Sequence, residues 1–289
     1  MSGKLKDQRV AFIGSGMMGG AIIHALLENK ELASEQLVAS DPSLKRRELL
    51  RSKYGIRTTE DNLEAAKDAD LVVLAVKPQV LPSVMADLYG NIPKDALVIS
   101  IIAGTPIASM QTGLGHSAIV RTMPNTPAQV GEGMTSWTAS EDVTEAQRAQ
   151  TRAILQTMGI EMFFKNENAL DMATAISGTG PTYVFLLMEA LMDAAVHMGF
   201  SRAEARPMVI QTVLGSAKFA MESDKHMAEL RNMVTSPGGT SAEAVYQMEK
   251  GGMRTILSKA VWAAYQKARL LGQRASKIPE APLKVDNGN

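Results

Sequence analysis

The sequence predicts an α/β protein in which a doubly wound parallel sheet is followed by an all-α domain. Three observations predict it. Short β-branched runs alternate with helical stretches over the first half, a glycine turn follows the first run, and beyond about Asn166 the β signal disappears. A chain of 289 residues exceeds the usual size of one domain, so two are expected, 1–165 and 166–273, with 274–289 as a C-terminal tail.

The first run, Arg9 to Ile13, leads into Gly14-Ser15-Gly16-Met17-Met18-Gly19, after which Ala21 to Leu27 reads as a helix. This is the strand, glycine turn and helix of a Rossmann-type nucleotide site. Glycine is needed where the chain bends and where its backbone approaches a pyrophosphate, and the helix N-terminus offers free N–H groups and a positive dipole end. A second strand, Gln36 to Ser40, ends at Asp41, 22 residues past Gly19, where an acidic side chain can bind an adenosine ribose. Further strands follow at Leu71 to Val76, Leu97 to Ile102 and Ala118 to Arg121, separated by helical stretches such as Leu63 to Lys67 and Val80 to Leu88. Alternation of this kind implies a parallel sheet wound on both faces.

Three of these strands end in Lys77-Pro78, Ala103-Gly104 and Met123-Pro124-Asn125-Thr126-Pro127. Proline and glycine can simply stop a strand. Their joint placement at successive strand ends, where open α/β sheets bind ligands, favours loops bordering the nicotinamide half of a dinucleotide.

In the second half, Ser177-Gly178-Thr179-Gly180-Pro181 is expected to break a helix and restart one, with Val184 to Met198 very apolar and Gly199 as its stop. A helix apolar on nearly all sides needs burial on nearly all sides, which implies a subunit interface. The 19 methionines read as core and interface filler. A second loop, Thr235 to Ser241, separates helix Met227 to Val234 from helix Ala242 to Glu249. Ser241 is expected as the N-cap of the latter; two glycines beside two hydroxyls at a helix N-terminus also make a carboxylate site, and both can hold at once.

Composition narrows the classes. Thirty basic against 30 acidic residues give no support to a nucleic-acid or membrane-surface role. The absence of cysteine excludes disulfides, thiolate catalysis and cysteine metal sites. His24, His116, His197 and His226 are scattered without ligand spacing, so no metal site is expected. Val10 to Ile13 is too short for a signal-peptide core and no apolar run approaches a membrane span, so a cytoplasmic location is expected.

Five segments, Gly14 to Gly19, Ala75-Val76-Lys77-Pro78, Met123 to Pro127, Ser177 to Pro181 and Ser236-Pro237-Gly238-Gly239-Thr240-Ser241, stand in the order and spacing of pyrroline-5-carboxylate reductases. The chain resembles that family from about Val10 to Leu271. The resemblance implies an N-terminal Rossmann domain, a helical domain that dimerises by interlocking, decamers built from dimers, and reduction of 1-pyrroline-5-carboxylate to L-proline as the last step of proline biosynthesis. By position, the cofactor would meet Ile13, Gly14, Ser15, Gly16, Met17 and Met18, then Ser40, Asp41 and Asn62, then Ala75, Val76, Lys77 and Pro78, and finally Ile101, Ile102 and Ala103. Substrate would meet Gly239, Thr240 and Ser241, with Glu167 and Ser177 nearby, and each site would draw on two chains.

Three positions depart from the family pattern. Ser241 replaces a frequent threonine and keeps the hydroxyl, Thr179 replaces the third residue of SGSGP, and Asp41 sets a carboxylate where the 2′-phosphate of NADPH would sit. Ser40, Ser43, Lys45 and Arg46 are near enough to compensate, so NADPH is expected to be used better than NADH, with NADH also accepted. The implied reaction is hydride transfer to an imine carbon, which requires no side-chain nucleophile. Ser241 is the expected hydrogen-bond partner of the ring nitrogen, while Lys218 reads as part of a solvated helix face. Rival readings are an oxidoreductase of another cyclic imine, a 3-hydroxyacid dehydrogenase, against which the proline-glycine loop argues, and a non-catalytic dinucleotide sensor.

Overall fold

Four short apolar runs, each buried along its whole length, build the centre of the sheet. In the computed structural model, which describes residues 5–275, the strands are β1 (Val10–Ile13), β2 (Leu37–Ser40), β3 (Arg57–Thr59), β4 (Leu71–Leu74), β5 (Leu97–Ser100), β6 (Ile119–Met123), β7 (Gly133–Ala139) and β8 (Gly159–Phe163). All residues of β1, β2, β4 and β5 are buried, the pattern of parallel strands covered on both faces.

The sheet order is β3-β2-β1-β4-β5-β6-β7-β8, parallel through β6. The order reverses between β1 and β4, which makes the gap at their carboxyl ends the place where such sheets take ligands. The fully parallel sheet expected from the sequence is corrected at one edge. There β7 runs antiparallel to β6, and β8 pairs parallel to β7. Expected strands also end early: Ala75, Val76, Ile101 and Ile102 belong to exit turns.

Helices α1 (Met17–Glu28), α2 (Leu44–Tyr54), α3 (Asn62–Ala66), α4 (Leu81–Leu88), α5 (Ile107–Leu114) and α6 (Glu145–Gln156) cover the two faces. Ile22 and Leu26 of α1, Leu50 of α2 and Ile154 of α6 join one core with Phe12 and Trp137. Ala65 of α3, Met85 of α4 and Met110 of α5 join the other with Ala11 and Ile13. Alternate residues of β1 thus feed opposite cores, as the period of two requires.

After β8 come α7 (Asn168–Ala173), a π turn (Thr174–Gly178), α8 (Gly180–His197), α9 (Arg202–Met221), α10 (Met227–Met233), α11 (Thr240–Lys250) and α12 (Met253–Ala275). The break expected at Ser177 to Pro181 is therefore a widened helical turn, with Thr179 N–H donating to the Thr174 carbonyl at 2.8 Å. The described residues fall into two compact units, 5–179 with 264–275, and 180–263. Packing thus groups α7 and the π turn with the sheet, beyond the boundary expected at 165. Residues 276–289 of the expected tail lie outside the described residues.

The second unit has little interior of its own. Ala195, Ala205, Val209 and Leu230 are buried there, whereas Phe185, Leu186, Met198, Leu214, Phe219 and Met221 are exposed, Leu186 to 65%. Apolar exposure on that scale marks an interaction surface. No helix among the described residues is long and apolar enough to cross a membrane.

Candidate active site

The exit of β1 makes three different demands on glycine. Gly14 adopts a φ of +84°, and a Cβ there would lie 2.7 Å from Val76 Cγ1 and 2.9 Å from the Ala75 carbonyl oxygen. Only a residue without a side chain lets the exits of β1 and β4 come this close. Gly19 packs the first turns of α1 down onto the same place, its Cβ position being 3.1 Å from Ala75 Cβ. Gly16 is the opposite case: it is the N-cap of α1, and no atom lies within 4 Å of its Cβ position. Open space above Gly16, with no side-chain cap and no acidic residue in the first turn of α1, fits a pyrophosphate on free N–H groups. Met17 and Met18 begin that turn, and Ser15 is buried beneath it.

Beside this turn, the end of β2 gathers the polar groups expected to meet adenosine. Asp41 accepts through Oδ2 from Ser15 N–H at 3.1 Å and the Ser15 hydroxyl at 2.8 Å, and through Oδ1 from Ser43 N–H at 3.0 Å. The buried Ser40 hydroxyl donates to Asn62 Oδ1 at 2.7 Å. Arg46 lies across the turn, donating to the Ser15 and Gly16 carbonyls, the latter at 3.1 Å. Gly20 makes room for this guanidinium, which any Cβ at that position would strike. Arg47 is turned elsewhere, to the Asp41 carbonyl at 2.8 Å and to Glu60 at 3.2 Å.

The exits of β4 and β5 complete the edge. Ala75 N–H donates to Ile13 at 2.8 Å and Ile101 N–H to Leu74 at 3.1 Å, so each turn is fastened to the neighbouring strand. Lys77 and Pro78 are exposed beyond this anchor, while Ile101 and Ala103 are half-buried and Ile102 is buried. All the residues expected to meet cofactor therefore share the carboxyl edge of one sheet. Glu167 and Ser177 belong to the same unit, Glu167 accepting from Arg121 Nη1 and from Ile107 N–H, both at 2.9 Å. The Ser177 hydroxyl donates to the Ala173 carbonyl at 3.0 Å, and the Ser177 carbonyl accepts from Asn125 at 3.1 Å.

Gly239, Thr240 and Ser241 lie in the other unit. Gly239 N–H returns to the Ser236 carbonyl at 3.1 Å across Pro237 and Gly238, whose φ of +72° suits the third position of a type II turn. Gly239, not Ser241, is the N-cap of α11, and no side chain caps that helix. The Ser241 cap expected from sequence is thus corrected: Thr240 and Ser241 occupy the first two helical positions with neither hydroxyl serving as a cap.

Two charged residues bonded to or beside Glu167 stood outside the sequence expectations. Arg121 and Asp171 pair at 2.8 Å, and Arg121 is 6% exposed. A lone arginine within the apolar Ile119-Val120-Arg121-Thr122-Met123 run was the available signal, since a buried charge needs a partner.

Residues 167–271 match the family model described as pyrroline-5-carboxylate reductase dimerisation, and residues 9–104 the one described as NADP oxidoreductase coenzyme F420-dependent. A pyrroline-5-carboxylate reductase of Synechocystis is 42% identical over 92% of this chain and 99% of its own length. The chain belongs to the pyrroline-5-carboxylate reductase family. An Escherichia coli pyrroline-5-carboxylate reductase is 37% identical over 92% of this chain and 99% of its own. Among solved structures, a pyrroline-5-carboxylate reductase from Coxiella burnetii superposes with a TM-score of 0.84 at 36% identity, covering 91% of this chain and 98% of that one. A Plasmodium falciparum pyrroline carboxylate reductase with NADP bound gives a TM-score of 0.84 at 33% identity, covering 92% and 98%.

In this family member, Gly14→Ala should cost roughly 2–4 kcal/mol, combining a left-handed backbone with an overpacked contact. The contact with Ala75 also predicts weaker dinucleotide binding, measurable by titration alongside a denaturant curve. Unaltered stability and affinity would mean that the close approach of β1 and β4 is dispensable.

Proposed function

We propose that the protein reduces 1-pyrroline-5-carboxylate to L-proline with NAD(P)H. The observation that carries the cofactor part is the open cradle over Gly16 at the uncapped N-terminus of α1, beside Asp41 and the exits of β4 and β5. A bound reduced nicotinamide supplies the hydride that the imine carbon accepts. The chain's own contribution is binding, orientation and exclusion of water. The exit turns 75–78 and 101–103 border the nicotinamide, and Ser40, Asp41 and Asn62 border the adenosine half. Gly239, Thr240 and Ser241 receive the substrate carboxylate, with the Ser241 hydroxyl also hydrogen-bonded to the ring nitrogen. Glu167 and Ser177 border the substrate, and Glu167 does not ligate its carboxylate because it carries the same sign of charge.

The working form is a homodimer, with decamers built from dimers, in the cytoplasm. The exposed apolar surface of 180–263 supports the assembly, and the helical domain proposed for this role is 166–273. Oxidation of NADPH and NADH, followed by nicotinamide absorbance, should be rapid with pyrroline-5-carboxylate and slow with the 3-oxoacid of a 3-hydroxyacid pair, whereas a faster rate with piperideine-2-carboxylate would make that larger cyclic imine the substrate. Dinucleotide binding without turnover on any of them would make the protein a sensor instead.

NADPH should be the better cofactor and NADH also accepted. Arg46, already against the phosphate turn, attracts a 2′-phosphate; Asp41 repels it. Asp41→Ala should raise the ratio of kcat/KM for NADPH over NADH by about tenfold, or ~1.4 kcal/mol, as expected when one nearby like charge is removed. An unchanged ratio would take Asp41 out of the adenosine pocket.

A further inference from the structure

One buried guanidinium ties β6 to α7 and, through Glu167, to the start of α5. Arg121 projects from β6 and is 6% exposed on its side chain. Its Nη1 donates to Glu167 Oε1 at 2.9 Å and its Nη2 to Asp171 Oδ1 at 2.8 Å. The same Glu167 oxygen accepts from Ile107 N–H at 2.9 Å, the first residue of α5. Ile107 directly follows the β5 exit turn, in which Gly104 holds a φ of +79° and Gly104 and Leu271 leave no room for a Cβ without contact at 3.0 Å. On the other side, Asp171 lies in α7, which runs straight into the π turn containing Ser177, and the Ser177 carbonyl is tied to Asn125 after β6. Asn125 Oδ1 in turn accepts from Met134 N–H at 2.9 Å.

Two carboxylates around one buried guanidinium leave a net negative charge, open to solvent at Glu167, whose side chain is 31% exposed. Such groups add little stability relative to packed apolar side chains, and their attested use is to fix one geometry among several. Here the geometry fixed is that of the β5 exit and of the π turn. A planar fork reaching two carboxylates at once can lock both segments in register, which a single ammonium cannot.

We propose that Arg121 is a positioning residue for hydride transfer, setting the β5 exit turn through Glu167 and the Ser177 segment through Asp171. The proposal rests on the reading that residues 101–103 border the nicotinamide. It assigns Glu167 a role through the Ile107 backbone, distinct from contact with substrate, and makes Asp171 its second anchor.

The test uses full-length Asp171→Asn and Arg121→Lys proteins, assayed well below their melting temperatures. Asp171→Asn keeps the size of the side chain and is the milder change should Arg121→Lys fold poorly. Three quantities are measured on each: kcat and KM, melting temperature, and affinity for NADPH against that for 2′-phospho-ADP-ribose, which lacks the nicotinamide. Misplacement of the nicotinamide-side turn should lower kcat roughly tenfold to a hundredfold. It should also weaken NADPH binding while the affinity for the nicotinamide-free fragment stays that of the parent. Arg121→Lys should show this loss of kcat although it keeps the positive charge. A lower melting temperature with unchanged kcat would reduce the cluster to a structural ion group and overturn the proposal. Parallel loss of affinity for NADPH and the fragment would overturn it as well, by revealing a general disturbance of the sheet edge. If the parent protein bound the fragment but gained nothing from the nicotinamide, the underlying assignment of 101–103 would fail instead.

Discussion

Replacing Ser241 with alanine should lower kcat/KM for the imine by about tenfold to a hundredfold while leaving dinucleotide affinity and melting temperature almost unchanged. The kinetic part follows from the worth of a hydrogen bond to a charged group, roughly 1.5–3 kcal/mol. The stability part follows from where α11 begins. Gly239 is the N-cap, so the alanine falls at the second helical position, where it is a better helix former than serine. A cap lost at that helix would instead cost ~1 kcal/mol. Ser241→Thr should remain close to the parent because it keeps the hydroxyl. Steady-state kinetics and thermal melts on both variants check the expectation; a lower melting temperature with intact kinetics would falsify the substrate role.

The largest effect is expected on shortening the chain. A protein ending at Lys165 should show no imine reduction, since it lacks the Ser236 to Ser241 loop and every apolar helix of the second unit. It should also be poorly folded. Arg121 would lose Glu167 and Asp171 together with the helix that covers it, at a cost below the roughly 3–5 kcal/mol of a pair broken in an intact interior because the guanidinium is rehydrated. Leu170, fully buried, would be lost too, at roughly 1.5–3 kcal/mol. Set against a domain stability of about 5–15 kcal/mol, these losses are a substantial fraction. A chain ending at Thr179 keeps both groups and should unfold at higher denaturant while remaining inactive. Equal denaturation midpoints for the two truncations would remove the argument from Arg121. Sedimentation of the full-length protein completes the test, because an active monomer would contradict the dimeric site.

The two variants depend on different kinds of information. Ser241 was legible as a candidate because its hydroxyl sits beside two glycines at the start of an apolar-periodic helix, but its position relative to the cap was not. Capping turns on one residue of backbone dihedral, and Pro237-Gly238-Gly239 closes its turn early enough to begin α11 at Thr240. Similarly, the β-branched runs fixed the existence of β1, β2, β4, β5 and β6, because burial on both faces demands continuous apolar sequence. Strands β3, β7 and β8 escaped notice. Arg57-Thr58-Thr59 is polar, Gly133 to Ala139 interrupts its apolar residues with Thr135, Ser136 and Thr138, and Gly159 to Phe163 is an edge strand whose Ile160 and Met162 face outward.

By itself, the sequence determined the class of fold, the dinucleotide turn, the apolar helical half and the family. Each is encoded locally, in glycine spacing, hydrophobic period or short contiguous motifs. Tertiary structure alone decided which side chains share a place: Asp41 on Ser15, Arg46 over Gly20, and Arg121 between Glu167 and Asp171. Those pairings span 26 to 50 residues of chain, and no local pattern specifies them. The first two exist because β1 lies beside β2, and the third because α7 packs against β6 and β7, where a buried charged group must find its partner or remain expensively desolvated.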